Sequence, residues 1–269
     1  SRDTVGDFEL RAQAVIITTG GIGGNHDIVR RSWPARMGTP PRSMITGVPA
    51  YVDGRMLDIA AGSGVRLVNR DRMWHYTEGV QNWDPIWPQH AIRILPGPSS
   101  MWFDALGRRL PAPYLPGYDT LGTLRYLRTN PEIAGYDHSW FILTQKIIEK
   151  EFALSGSEQN PDITNSDRVG MLRERLMSKG APAPVEAFKS RGADFVVADT
   201  LDELVAMMNK LTDEPLLDPQ GIRDQIEARD RQIANPYSKD AQVQGIRNSR
   251  RYLGDRIART AAPHRILDP

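Results

Sequence analysis

The chain has 269 residues, of which 40% are hydrophobic and 25% are charged, as is usual for soluble globular proteins. Its 34 basic and 33 acidic residues leave a net charge of +1, which gives no reason to expect a nucleic-acid or acidic-membrane partner. The absence of cysteine excludes disulfides, thiolate metal sites and a cysteine nucleophile. With no apolar run of membrane-spanning length and no signal peptide, we expect a cytoplasmic location.

A glycine cluster near the start of the chain is the first candidate for a functional element. The β-branched run Ala14–Thr18 predicts a buried, parallel strand, GGIGG at 20–24 predicts a turn, and Asn25 predicts the N-cap of a short helix. A strand–turn–helix of this kind can bind phosphate, but a tight structural turn has the same signature. The dinucleotide fingerprint G-x-G-x-x-G is not present, because Gly21-x-Gly23 is followed directly by Gly24.

The rest of the chain first mixes predicted helices with strands and then becomes mostly helical. Asp53-Gly54 opens a helix, MWFDALGRRL predicts a hairpin, and Thr200 with Glu203 predicts a capping box. Further strands are predicted at 65–69, 140–143 and 195–198, and the polar stretch 155–167 is the best candidate for an internal boundary. The order of these elements favours an α+β fold.

Several of these segments together resemble the FAD-dependent fumarate reductase/succinate dehydrogenase/3-ketosteroid dehydrogenase superfamily. In that family a late strand of the flavin domain ends in (A/T)-T-G-G-(F/I)-x-x-N, a T-G-D-G element opens a helix, and a hairpin N-x-x-G-x-R-F follows. The corresponding stretches here are TTGGIGGN, VDGRMLDIAAGSG and DALGRRL, and ADTLDELVAMMN resembles a later helix of the family. The resemblance extends over nearly the whole chain.

The resemblance implies a substrate-facing cap domain of a flavoprotein with a strand–turn–helix stub of the α/β FAD-binding domain. The stub would comprise residues 1–50 and the cap residues 51–269, with the possible internal boundary near 155–167. The implied cofactor is FAD. The residues carried over to its binding are Thr19, Gly20, Gly21, Asn25, Asp53 and Gly54.

The implied function is that of a fragment of an FAD-dependent dehydrogenase or reductase, which transfers hydride between flavin and a carbon next to a carbonyl. Three catalytic candidates follow: His75, which lies 22 residues after Asp53, Tyr118 in a loop, and Arg109 in the hairpin. Each has a structural alternative, namely a partly buried histidine, a tyrosine packed on a loop and a hairpin surface arginine. The tryptophans between 74 and 102 would either line a pocket for an apolar or ring-containing substrate or fill a small core.

Two parts of the family's flavin site have no equivalent in this sequence, the N-terminal G-x-G-x-x-G and the C-terminal glycine-rich segment. We therefore expect an internal fragment that binds FAD weakly or not at all on its own and is inactive alone.

Histidine spacing predicts no metal site. The alternative function is a non-catalytic binding or interaction module on the same scaffold; an NAD or S-adenosylmethionine enzyme would require a βαβ frame that the sequence lacks.

Overall fold

The structure, a computed structural model, describes residues 6–156, 165–167, 169, 180–249, 251–253 and 262–267. Its helices and strands alternate in the first part of the chain, and helices dominate after residue 180. In chain order the elements are α1 (His26–Arg31), a 3-10 turn (Ala35–Met37), α2 (Arg55–Gly62), β1 (Gly79–Gln81), β2 (Ala91–Leu95), β3 (Met101–Phe103), α3 (Thr120–Thr129), β4 (Trp140–Ile142), α4 (Gln145–Glu151), β5 (Ala153–Ser155), α5 (Ala183–Arg191), α6 (Leu201–Asn209), α7 (Pro219–Ala234) and α8 (Ala241–Ser249).

A three-stranded antiparallel sheet in the order β1-β2-β5 forms the centre of one apolar core. Arg93 of β2 pairs with Gly79 of β1 and with Ser155 of β5. The buried face of this sheet packs against α4 and α5, and its core residues are Val80, Ile92, Ile94, Ile148, Phe152, Leu154, Val185 and Phe188. Burial of these side chains stabilises the sheet, since each removes apolar area from water.

A second core lies between the two-stranded sheet β3-β4 and the helices α6 and α7. The predicted hairpin turn is confirmed: Gly107 N donates to Asp104 O at 3.1 Å and Asp104 N donates to Arg108 O at 2.9 Å. The predicted change from strand to helix after residue 140 is also confirmed by β4 and α4. Ile147 of α4 belongs to this core and its neighbour Ile148 to the first, so one helix joins the two.

The helix starts that rest on local side-chain chemistry agree with the prediction. Asn25 accepts a hydrogen bond from Ile28 N at 3.2 Å and begins α1. Thr200 accepts from Glu203 N at 3.3 Å and begins α6. Such bonds satisfy backbone donors that have no partner within the helix.

Three predicted strands are wrong. Residues 14–18, 65–69 and 195–198 form no strand, and in the first of these segments Val15 and Ile16 are 80% and 87% exposed. A strand is stabilised by hydrogen bonds to a neighbouring strand, and none of the described strands lies beside these segments. Their β-branched composition therefore indicates the capacity to pair, whereas pairing itself depends on a partner.

A buried charged cluster holds residues 262–267 against the second core. Arg229, which is 1% exposed, donates to Asp230 Oδ1, to Ser99 O and to His264 O. Asp230 Oδ2 accepts from the backbone N–H groups of Ile266 and Leu267 at 2.9 and 2.8 Å. Burial lowers the pKa of Arg229, and its ion pair with Asp230 opposes that shift.

The division into a stub and a cap domain stays a prediction. Thr46, inside the predicted stub, accepts from Ala91 N at 2.9 Å and donates its own N–H to Gln89 O at 2.7 Å, so it is joined to the edge of β2. Most of the polar stretch at 155–167 lies outside the described residues. Within the described part of the chain, every helix is too short or too polar to cross a membrane.

Candidate functional site

A cleft of about 1270 Å³ lies between the glycine turn, α1, the segment 67–77 and β2. It is larger than most small-molecule pockets, which measure roughly 300–1,000 Å³. Of the residues predicted from the sequence, Gly21, Gly54 and His75 line it. A second cleft of about 1720 Å³ lies over β4 and α6, but seven carboxylate residues and two basic residues line it, which disfavours an anionic dinucleotide. The first cleft is therefore the candidate site.

The glycine turn approaches the protein's own backbone on one side and the open cleft on the other. A Cβ at Gly24 would lie 2.6 Å from Pro49 O and 2.9 Å from Val52 O, and one at Gly54 would lie 2.8 Å from Ile22 Cγ2. At Gly21 a Cβ would meet nothing within 4 Å. Gly24 and Gly54 are thus required for packing, whereas Gly21 leaves backbone open to a ligand.

The other predicted cofactor residues lie beside the turn and do not line the cleft. The side chain of Asn25 is used to cap α1. Asp53 forms an ion pair with Arg55, and the hydrogen bond that the Arg55 side chain donates lowers the pKa of Asp53 to about 2. Thr19 and Gly20 are exposed. Contacts of these four residues with FAD stay a prediction.

His75 is the catalytic candidate that the fold places in the cleft. Its ring lies 4.8 Å from that of Trp33, measured between centroids, and its Nε2 is buried without a hydrogen-bond partner. Burial lowers the pKa of His75 below its ordinary value, so the neutral imidazole is favoured at neutral pH. A neutral imidazole with an unused nitrogen can accept or donate a proton, depending on its tautomer.

Tyr118 and Arg109 lie outside the cleft. Tyr118 is 74% exposed. Arg109 forms a salt bridge with Asp240 and donates to Gln242 Oε1 at 2.7 Å, so its guanidinium joins the hairpin to the start of α8. Their catalytic roles stay predictions, and the geometry of Arg109 is that of a structural residue.

The aromatic residues between 74 and 102 are divided between the cleft and the cores. Trp74 and Tyr76 line the cleft. Trp102 is 2% exposed and stacks on Phe141 at 4.5 Å between ring centroids, and Trp83 packs against the first core. The pocket and core interpretations of this segment therefore each hold for part of it.

Sequence reasoning missed most polar residues of the cleft, among them His26, Trp33 and Arg93. His26 Nε2 lies 2.7 Å from Thr46 Oγ1, and this contact joins α1 to the residue that extends the sheet. Arg93 lies in the strand AIRIL, where a single charge among buried apolar residues was a usable signal. No pattern in the sequence around Trp33, just after α1, indicates that it belongs to a site.

Metal binding finds no support in the described residues, where no three His, Asp or Glu side chains lie together as ligands would.

Comparison with known proteins gives the chain a family. A family model described as FAD binding domain matches residues 2–264. KsdD-like steroid dehydrogenases of Mycobacterium tuberculosis, strains CDC 1551 / Oshkosh and H37Rv, are 57% and 56% identical to the chain over 269 residues, and one of Mycolicibacterium smegmatis is 56% identical. These matches cover 100% of this chain and 47–48% of the relatives, so the chain spans about half the length of the curated relatives it matches.

No solved structure matches the chain significantly. The family match extends over both the predicted stub and the predicted cap. The cofactor of the family is FAD, in agreement with the interpretation of TTGGIGGN and VDGRM as flavoprotein elements. The chain therefore belongs to the FAD binding domain family of FAD-dependent oxidoreductases.

Proposed function

We propose that this chain is part of an FAD-dependent dehydrogenase that transfers hydride between flavin and one carbon of a C–C bond next to a carbonyl, and that flavin and substrate meet in the cleft of about 1270 Å³. The observation that carries the proposal is the position of Gly21. Its backbone is open to the same cleft that contains His75 Nε2, a buried nitrogen with no partner. Family membership supplies the cofactor.

The residues of the cleft fit FAD in shape and in charge. Gly21 offers backbone without a side chain, which a planar cofactor can approach closely. Five arginines and three aspartates line the cleft, and this excess of positive charge favours the pyrophosphate of the dinucleotide. Gly21 and Gly54 would hold the cofactor from the turn side.

Bound FAD supplies a two-electron acceptor. With FAD bound, the cofactor would accept a hydride from one substrate carbon, and the neighbouring carbon, next to the carbonyl, would give up a proton to a base of the protein, so that a C=C bond would form. The base that we propose is His75 Nε2, because burial favours the neutral ring and this nitrogen has no hydrogen-bond partner. Trp33 and Trp74 would exclude water from the substrate face.

The proposed substrate is a small ring-containing molecule. The relatives are named as steroid dehydrogenases, and the cleft lining includes apolar side chains beside its polar groups. Aromatic and aliphatic walls with a few polar groups are usual for sites that bind such ligands. We propose that this chain is inactive on its own.

The experiment uses the complete gene product, purified and supplied with FAD. Bleaching of an artificial two-electron acceptor is followed with a 3-ketosteroid as substrate, for the wild type and for His75→Gln. We expect flavin-dependent turnover that falls at least a hundredfold in the variant, as for the loss of a general base. A protein that carries no flavin and turns over no ketosteroid would contradict the proposal and favour a non-catalytic binding module.

A further inference from the structure

Unsatisfied polar atoms are concentrated in the candidate cleft. Among the described residues, six buried side-chain nitrogen or oxygen atoms have no hydrogen-bond partner, and four belong to residues that line this cleft: Trp33 Nε1, His75 Nε2, Thr77 Oγ1 and Arg93 Nε. Buried polar groups in native proteins are nearly always hydrogen-bonded. Trp33 Nε1 and Arg93 Nε can only donate, so the partner that these two atoms lack is an acceptor.

Arg93 is the charged member of this group. The Tyr76 ring lies over its guanidinium, 4.0 Å from centroid to Cζ, and fixes the orientation of the guanidinium plane. Of its two neighbours across the sheet, Gly79 and Ser155, the glycine has no side chain to cover it. Within the described ranges, no carboxylate pairs with Arg93, which is rare for a half-buried arginine.

The charges around Arg93 do not neutralise it. Of the three aspartates that line the cleft, Asp71 forms an ion pair with Arg36 and Asp137 with Arg128, and none of the ion pairs among the described residues joins Asp58 to Arg93. The backbone places Thr77 alongside β2, because Ile94 N donates to Glu78 O at 2.9 Å. Thr77 thus brings a hydroxyl donor to the segment just before β1, the strand that pairs with β2 at Arg93.

We propose that Arg93, assisted by Thr77 and Trp33, binds an oxyanion of the cleft ligand, either a carboxylate of the substrate or a phosphate of the cofactor. The inference rests on the proposed function only in taking the cleft as the ligand site. A guanidinium bound to an oxyanion forms charge-assisted hydrogen bonds, which are stronger than neutral ones. In the substrate case, the enzyme selects ring compounds that carry an acid group over neutral ones.

The test measures binding to the complete gene product by quenching of tryptophan fluorescence, without turnover. Two probe pairs separate the sources of the oxyanion: 2-naphthoate with its neutral methyl ester, and FAD with riboflavin, which lacks phosphate. The variants are Arg93→Gln, Arg93→Lys, and Arg66→Gln as a control that removes the same charge from the exposed surface outside the cleft. Circular dichroism verifies that each variant is folded.

We expect Arg93→Gln to weaken the binding of the anionic probe of one pair about tenfold or more and to leave the binding of its neutral counterpart nearly unchanged. Arg93→Lys should retain part of the preference, and Arg66→Gln all of it. An effect on naphthoate assigns the site to substrate, and an effect on FAD alone assigns it to the cofactor. If Arg93→Gln does not fold, the ionic-strength dependence of wild-type binding replaces it, and only the anionic probe should weaken with salt.

Equal binding of acid and ester, together with equal effects of Arg93→Gln on FAD and riboflavin, would overturn the inference. That result, obtained with FAD bound, leaves the proposed function standing. Binding of naphthoate that depends on Arg93, in a protein that takes up no flavin, would instead remove the proposed function and keep the anionic site.

Discussion

The replacement of Gly24 by alanine tests whether the glycine turn is packed as described. The added Cβ would lie 2.6 Å from Pro49 O and 2.9 Å from Val52 O, distances that real Cβ atoms do not adopt. Both neighbours are backbone atoms, so no side-chain rotation relieves the overlap. The turn must open, and the hydrogen bond from Gly24 N to Val52 O, now 2.8 Å, is lost or lengthened.

The expected loss follows from these two contacts. Overpacking of a well-packed site costs about 1–3 kcal/mol, and one backbone hydrogen bond contributes about 0.5–1.5 kcal/mol. Together they predict a decrease of about 2–4 kcal/mol in the free energy of unfolding, measured by urea denaturation. The turn also holds the segment 48–52 in place, so thermolysin should cleave the variant there faster than the wild type.

Gly21→Ala is the matched control, since its Cβ would meet nothing within 4 Å. Its free energy of unfolding should stay the same or rise by about 0.4–1 kcal/mol, because alanine reduces the entropy of the unfolded chain. Equal stability of Gly24→Ala and the wild type, or a loss in Gly21→Ala as large as in Gly24→Ala, would refute this account of the turn.

Three further predictions concern the buried charges. Asp230→Ala should lower the free energy of unfolding by about 3–5 kcal/mol in urea denaturation, since it leaves Arg229 buried without its carboxylate; an unchanged midpoint would contradict this. His75 should titrate below its ordinary pKa of 6.5 when followed by NMR of its ring protons. The unfolded state then binds a proton at His75 more tightly than the folded state does. The free energy of unfolding should therefore decrease as the pH falls from about 6.5 through the folded pKa, and His75→Gln should remove this decrease. Arg109→Met should lower the melting temperature through loss of the Asp240 salt bridge while the folded fraction keeps its turnover; a loss of turnover alone would restore the catalytic role of Arg109.

Features that depend on a few neighbouring residues could be predicted from the sequence. Asn25 and Thr200 begin their helices as expected, and Asp104–Gly107 forms the expected turn, because each bond is made within four residues. The apolar segment at 14–18 could not be placed this way. Its composition is that of a strand, but strand formation depends on a partner elsewhere in the chain.

The candidate site shows the same limit. Gly21, Gly54 and His75, which were carried over from family motifs, line one cleft, and their roles there stay predictions. Trp33 could not be found from the sequence, because the absence of a hydrogen-bond partner is a property of the tertiary structure, and for Arg93 the single charge in AIRIL was the one local signal. Arg109 was proposed from a hairpin motif, whereas its salt bridge with Asp240, 131 residues away, is visible only in the tertiary structure.

The central claim is that the open face of the glycine turn is part of an FAD site. The most direct measurement is the dissociation constant of FAD from the complete gene product, wild type and Gly21→Ala, by flavin fluorescence. The account predicts that the wild type binds FAD and that the added methyl group weakens binding about tenfold or more with no loss of folding stability. Equal affinity of the two proteins for FAD, or no binding by the wild type, would contradict it.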